Sequence, residues 1–222
     1  MWRLLLPATS PSRIVNEGIE QFNRKNFEEA IRCFSQALEM DSRSAIAAIA
    51  WGRKGNCYVS LKQYSEAVEC YDRSLEINPS ASNIWYIKGF VLHLIGRSSE
   101  ALPCLERAIE INPEYGAAWE SKGDVLATLH KYDEALACYT TARGLNPEHD
   151  ERLAEAIARC RLLLESRECV SNSPGDGRDA ECPPEVRSTT RARHPSMALP
   201  PNTGDTLNEI QAYEETVRRF LA

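Results

Sequence analysis

Residues 82–148 read SNIWYIKGFVLHLIGRSSEALPCLERAIEINPEYGAAWESKGDVLATLHKYDEALACYTTARGLNPE, and this stretch decides the fold. Trp85 returns as Trp119, Gly89 as Gly123, Ala101 as Ala135 and Pro113 as Pro147, each 34 positions on. The same step backwards meets Trp51, Gly55, Ala67 and Pro79. Four chemically unrelated residue types sharing one period mark an internal repeat rather than chance. An earlier copy is present too. Gly18, Phe27, Ala30, Phe34 and Ala37 match Gly55, Tyr64, Ala67, Tyr71 and Ser74 at an offset of 37. Three residues are therefore inserted, placed at 45–47. The units are 11–44, 48–81, 82–115 and 116–149.

Each unit reads as two helices. Ile84, Trp85, Ile87, Val91, Leu92 and Ile95 have helical spacing over 83–94. A turn follows at Gly96-Arg97, with Ser98 or Ser99 as N-cap. Ala101, Leu102, Leu105, Ala108 and Ile109 carry a second helix to Ile111. Asn112-Pro113 stops it, because a residue before proline avoids the α region. Asn78-Pro79 and Asn146-Pro147 do the same in their units. Glycine inside a helix costs ~1 kcal/mol relative to alanine. Its recurrence in register at Gly18, Gly55, Gly89 and Gly123 therefore predicts close contact between the two helices of a unit. The aromatic slots at Phe27, Tyr64 and Tyr132, and at Phe34, Tyr71 and Tyr139, are expected to fill the gap to the next unit.

The pattern Trp85-x2-Lys88-Gly89, Ala101, Ala108, Pro113 resembles the tetratricopeptide repeat. So does Trp119-x2-Lys122-Gly123, Tyr132, Ala135, Tyr139, Ala142, Pro147. The resemblance covers residues 11–149 and implies an all-α fold: a right-handed α-solenoid of four helix pairs. First helices would line a concave groove and second helices the convex back. Three departures stand out. The slot that usually holds leucine before the glycine carries Glu17, Lys54, Lys88 and Lys122. The third unit has Ser98 and Leu105 in aromatic slots. Pro103 falls near the first turn of its helix, where little hydrogen bonding is lost.

Outside the array the chain changes character. Residues 150–167 carry an amphipathic stripe of Leu153, Ile157, Cys160 and Leu164, with Glu151, Arg152, Glu155, Arg159 and Glu165 opposite. A solenoid needs a polar-faced end, so this reads as a C-terminal cap helix. Residues 168–205 hold six prolines and few large apolar residues, the composition of a disordered linker. Thr206-Leu-Asn-Glu209 is a capping box. The short amphipathic helix it opens, 206–222, places Leu207, Ile210, Tyr213, Val217 and Phe220 on one contact face. Residues 1–10 form an N-terminal extension whose apolar run is too short for a secretory core, so the expected location is cytoplasmic.

Composition limits the function. Among 222 residues the net charge is −6, which offers little to nucleic-acid phosphate, and no run approaches a membrane span. Cys33, Cys70, Cys104 and Cys138 occupy one repeated slot and read as small packing residues, because stacked equivalents lie too far apart to pair. No metal site and no cofactor are expected. Phosphate-loop, zinc-protease and nucleophile-elbow motifs are absent, and the four histidines are dispersed, so the chain is not expected to be an enzyme.

The resemblance also implies where a partner would bind, at fixed offsets from the repeated glycine. The groove candidates are Phe22, Asn23, Asn56, Tyr86, Phe90, His93, Glu120 and Asp124. Chaperone-binding members clamp a terminal carboxylate with lysine and arginine, and no such residue stands at these positions. An apolar-to-aromatic groove ending in Glu120 and Asp124 instead suits a protein or peptide segment with a basic end. The 206–222 helix, with Arg218-Arg219, has that chemistry and is expected to dock there part of the time. The implied function is a protein-interaction adaptor or scaffold. The alternatives are an accessory subunit of an enzyme or secretion complex, and a homo-oligomeric structural array.

Overall fold

The computed structural model describes residues 10–145 and 150–171. The extension before Ser10, the Asn146-Pro147 stop, residues 172–205 of the expected linker and the 206–222 helix lie outside the described residues. So does every member of that helix's contact face: Leu207, Ile210, Tyr213, Val217 and Phe220. The chain divides into Met1–Leu164 and Glu165–Ala222, and of the second unit only the end of one helix is described.

The described residues are 84% helical. Four pairs follow one another: α1 (Pro11–Asn23) with α2 (Phe27–Met40), α3 (Ala45–Ser60) with α4 (Tyr64–Ile77), α5 (Ser82–Leu94) with α6 (Ser98–Ile111), and α7 (Gly116–Thr128) with α8 (Tyr132–Leu145). Helix α9 (Asp150–Ser171) follows and runs four residues past the expected end of the cap. The three inserted residues lengthen a helix rather than a loop: α3 has 16 residues where α1, α5 and α7 have 13. Its start is fixed by Ser44, whose hydroxyl accepts from the Ile46 N–H at 3.1 Å, after an Asp41 turn that accepts from Arg43 and Ser44.

The glycines sit where the two helices of each unit touch. A Cβ on Gly55 would stand 2.6 Å from Tyr71 Cε1, and one on Gly123 would stand 2.6 Å from Tyr139 Cε1. The aromatic residue of the second helix thus packs directly on its own unit's glycine, fully buried, while the same core cluster extends to the element that follows. Leu105 fills the same place over Gly89. The space that a missing side chain vacates is taken by the nearest large group, sixteen residues on in the same hairpin.

The turns within pairs share one geometry. Lys25, Lys62, Gly96 and His130 all have φ between 60° and 80°. The N–H of the following residue reaches back to Gln21, Tyr58, Leu92 and Leu126 respectively, closing the helix end in a Schellman arrangement. Only one of the four is the glycine that this conformation favours. The expected N-cap at Ser98 or Ser99 is corrected: Arg97 holds the cap position without a side-chain bond, and Ser98 is buried inside α6. Pro103 is the sixth residue of α6, just past the first turn.

The turns between pairs explain why tryptophan and proline share a period. Trp85 Nε1 donates to the Pro79 carbonyl at 2.9 Å, and Trp119 Nε1 donates to the Pro113 carbonyl at 2.8 Å. Asn78 and Asn112 accept from the N–H two residues on, so each Asn-Pro both ends a helix and folds the exit. The lysine departures are explained as well. Lys88 stands 5.5 Å over Trp85 and 2.5 Å from Asp72 of the preceding pair; Lys122 stands 5.9 Å over Trp119 and 3.0 Å from Glu106. The tryptophan face attracts the cation and the acid of the previous pair fixes it, each contact contributing on the order of 0.5–1 kcal/mol. Helix α9 closes the array. Leu153, Ile157 and Cys160 are buried against Leu126, Ala135, Cys138, Tyr139 and Ala142.

Candidate functional site

The candidate residues lie on the first helices, and packing has already claimed several of their polar groups. Asn56 is buried on α3, and its Oδ1 accepts from the Tyr71 hydroxyl at 2.8 Å. Asp124, half-buried on α7, accepts from the Tyr139 hydroxyl at 2.7 Å. The two bonds are the same bond, fifteen residues apart in each unit. Where the second helix lacks a hydroxyl, the first helix carries an apolar residue instead: Ile19 with Phe34, and Phe90 with Leu105. A buried phenol needs an acceptor and a buried hydrocarbon does not. That pairing was legible in the sequence at a spacing of fifteen, and the groove reading passed over it.

Glu120, one turn before Asp124 on α7, is buried. The guanidinium of Arg152, from the first turn of α9, donates to its Oε1 through Nε at 2.7 Å and again through Nη2. The arginine that the sequence places on the polar outer side of the cap thus sends its head back to α7. Nothing in a one-dimensional pattern signals this contact, because it depends on how α9 seats.

Tyr86 is buried against the Tyr115 and Phe90 rings, with centroids 5.0 and 6.4 Å away. Burial pushes its phenol up to about 12, with Ser121, Glu120, Arg152 and Asp124 around it. Burial likewise raises the Asp124 carboxyl to about 6, the Tyr139 bond and Arg152 opposing the rise. His93 is half-buried, its Nδ1 3.0 Å from Ser98 Oγ, and burial lowers its pKa. That contact gives the polar residue in the third unit's aromatic slot its partner.

The other end of the same face is more open. Asn23 is exposed at the last position of α1, and Phe22 is half-buried, its ring edge-on to Phe27 at 5.5 Å. Val59 and Ser60 are half-buried, and Ile49, the fifth residue of α3, is 51% exposed. The structure therefore brings Tyr86, Glu120 and Asp124 into one packed cluster with Arg152. Phe22, Asn23 and Asn56 stay in the first two pairs.

The six described cysteines are buried free thiols. Burial raises Cys57 to about 12 and Cys70 to about 11, away from the thiolate that binds metals or attacks disulfides. Among the described residues no group of His, Cys, Asp or Glu is arranged to hold a metal, and no helix is long and apolar enough to cross a membrane.

Models of the tetratricopeptide repeat match residues 48–81, 70–102 and 95–149. The chain is a tetratricopeptide-repeat protein. Among solved structures of such repeats it is similar to the MamA protein, with a TM-score of 0.66 and 20% identity over 73% of this chain and 87% of that one. It is also similar to YrrB, described as a TPR protein with an unusual peptide-binding site, with a TM-score of 0.64 and 27% identity over 73% of this chain and 81% of that one. A heat shock protein sti1 homolog of Schizosaccharomyces pombe (strain 972 / ATCC 24843) is 30% identical over 80 residues. That match spans 36% of this chain but only 13% of the relative. Tetratricopeptide-repeat folds of this kind are protein-interaction modules, and the chain is an interaction adaptor in that general sense.

Proposed function

We propose that the chain is a non-catalytic adaptor that binds a partner segment on its first-helix face, the segment's apolar residues lying on the open half of this face, from α1 to α5, and its end reaching towards α7. The observation that carries the reading is Ile49, a large aliphatic side chain left 51% exposed on α3. Ten residues on along α3 Val59 is half-buried, and so are Ile19 and Phe22 on α1 and Phe90 on α5. An apolar surface of this kind, rimmed by polar groups such as Asn23 and Ser60, is the ordinary signature of a recognition site. The unusual peptide-binding site ascribed to YrrB supports it, since that protein is 27% identical.

The chain's own 206–222 segment is the proposed internal competitor. It carries Leu207, Ile210, Tyr213, Val217 and Phe220 beside Arg218 and Arg219. The residues between Ser171 and that segment, acting as a flexible tether, would reach about 30 Å, enough to return to the array. A labelled synthetic peptide of residues 206–222, titrated by fluorescence anisotropy, tests both statements. Binding should tighten when residues 206–222 are deleted from the chain and weaken about tenfold with Ile49→Asp, the worth of one buried aliphatic contact. Unchanged affinity in both variants would refute the reading.

A further inference from the structure

Helix α9 does more than close the array. Its first-turn Arg152 extends to α7 and holds the buried Glu120 carboxylate with two N–H donors. The same carboxylate, with Asp124, is the acidic feature that the sequence offers to the basic end of a bound segment. Tyr86 and Tyr115 pack beside it, so the guanidinium lies where the partner face meets the fourth pair. The arginine's side chain is 68% exposed while that of Glu120 is 9% exposed. The cation therefore approaches from solvent onto a buried anion, as the arginine of a ligand would. Arg159 stands on the same helix two turns on and also faces Asp124. The acidic end of the face is thus answered within the chain.

We propose that Arg152 is the specificity-determining residue at this end of the face: it occupies the Glu120 carboxylate and so disfavours partner segments that bring a basic residue there. This rests on the partner-face reading above and deepens it. The two roles separate physically. Exclusion requires only that a second guanidinium cannot share the carboxylate without desolvating against like charge. The exposed aliphatic surface at Ile49 is untouched by it. Arg218 and Arg219 are the basic residues of the proposed internal competitor, so Arg152 would also limit how firmly that segment docks.

The test uses the full chain, its Arg152→Gln variant and the Arg152→Gln/Glu120→Gln double variant. Two labelled peptides serve as probes: residues 206–222 as they stand, and the same peptide with R218Q and R219Q. The tail in cis lowers both affinities alike, so their ratio is the readout. Arg152→Gln should raise the preference for the arginine-bearing peptide about fivefold, the worth of one partly exposed ion pair. The double variant should abolish that gain. In parallel, ethylguanidinium chloride at matched ionic strength should raise the melting temperature of Arg152→Gln and leave that of the parent and of the double variant unmoved. A purely structural salt bridge would change stability in Arg152→Gln without altering the peptide ratio, and that result overturns the proposal. Absence of any ethylguanidinium effect on Arg152→Gln overturns it too. Failure of both peptides to bind any of the three proteins refutes the partner-face reading itself, and the specificity role with it. The ethylguanidinium shift then reports the carboxylate seat alone.

Discussion

Asp124→Asn should stabilise this protein at neutral pH. In the fourth pair Asp124 accepts from the Tyr139 hydroxyl at 2.7 Å, and in the second pair Asn56 accepts from Tyr71 at 2.8 Å. The phenol therefore needs an acceptor, not a charge, and the amide oxygen of asparagine supplies one in the same geometry. The charge itself is a burden. Burial is the largest influence on the Asp124 carboxyl and lifts it from 3.8 to about 6, although Tyr139, Arg152 and Arg159 pull the other way. A group whose folded pKa is raised binds its proton more tightly in the folded state. Its folded form is then favoured most below the unfolded pKa, and the benefit is lost as pH climbs through about 6. At pH 7.5 the ionised carboxylate costs no more than about 3 kcal/mol, and relaxation around Arg152 brings the expected gain on amidation to about 1–2 kcal/mol. That corresponds to a rise in melting temperature of about 2–8 °C for a chain of this size. The assay is urea and thermal unfolding followed by helical circular dichroism for parent and variant, from pH 4 to pH 7.5. The advantage of Asp124→Asn should be largest at pH 7.5 and shrink towards pH 4, where the parent's carboxyl is protonated in the folded state. An equal difference at both ends of the range, or a loss of stability at pH 7.5, would show that the Asp124 charge is held by the α9 arginines, and would refute the reasoning.

Three further outcomes follow from packing. Gly55→Ala sets a methyl 2.6 Å from the buried Tyr71 ring and should lower stability by about 1–3 kcal/mol in urea unfolding. Gly144→Ala on α8, with nothing within 4 Å of its new Cβ, should instead gain up to about 1 kcal/mol. The six described cysteines are buried with their thiol pKa values raised, so they should react with a thiol-specific reagent only after denaturant is added. Rapid modification of Cys57 or Cys70 in the native protein, mapped by mass spectrometry, would contradict that burial.

Much of the fold was legible because a repeat states each rule several times. Asn-Pro ends α4 and α6, and the glycine announces a close approach. Covariation inside the chain even encodes the hydroxyl bonds, as Asn56 with Tyr71 and Asp124 with Tyr139 against Ile19 with Phe34 and Phe90 with Leu105. The left-handed turn positions were half legible: Gly96 marks one, while Lys25, Lys62 and His130 take the same conformation without a glycine because the Schellman bonds close around them. Whether the three extra residues make a loop or a longer helix depends on the Ser44 cap, which starts α3 at Ala45.

The sequence by itself determined the period, the helix pairs, the contact glycines and the cap. These are local or nearest-neighbour properties, and a solenoid is built almost entirely of such terms. Only the tertiary structure decided which polar groups a partner could still reach. Asn56 and Asp124 are occupied by tyrosines of their own hairpins, and Glu120 by an arginine thirty-two residues away on the cap. The last of these turned an acidic end, inviting on paper to a basic ligand, into one already paired with a cation. The physical reason is that a buried carboxylate takes whatever cation the packing brings within reach, and sequence spacing sets no limit on where that cation comes from.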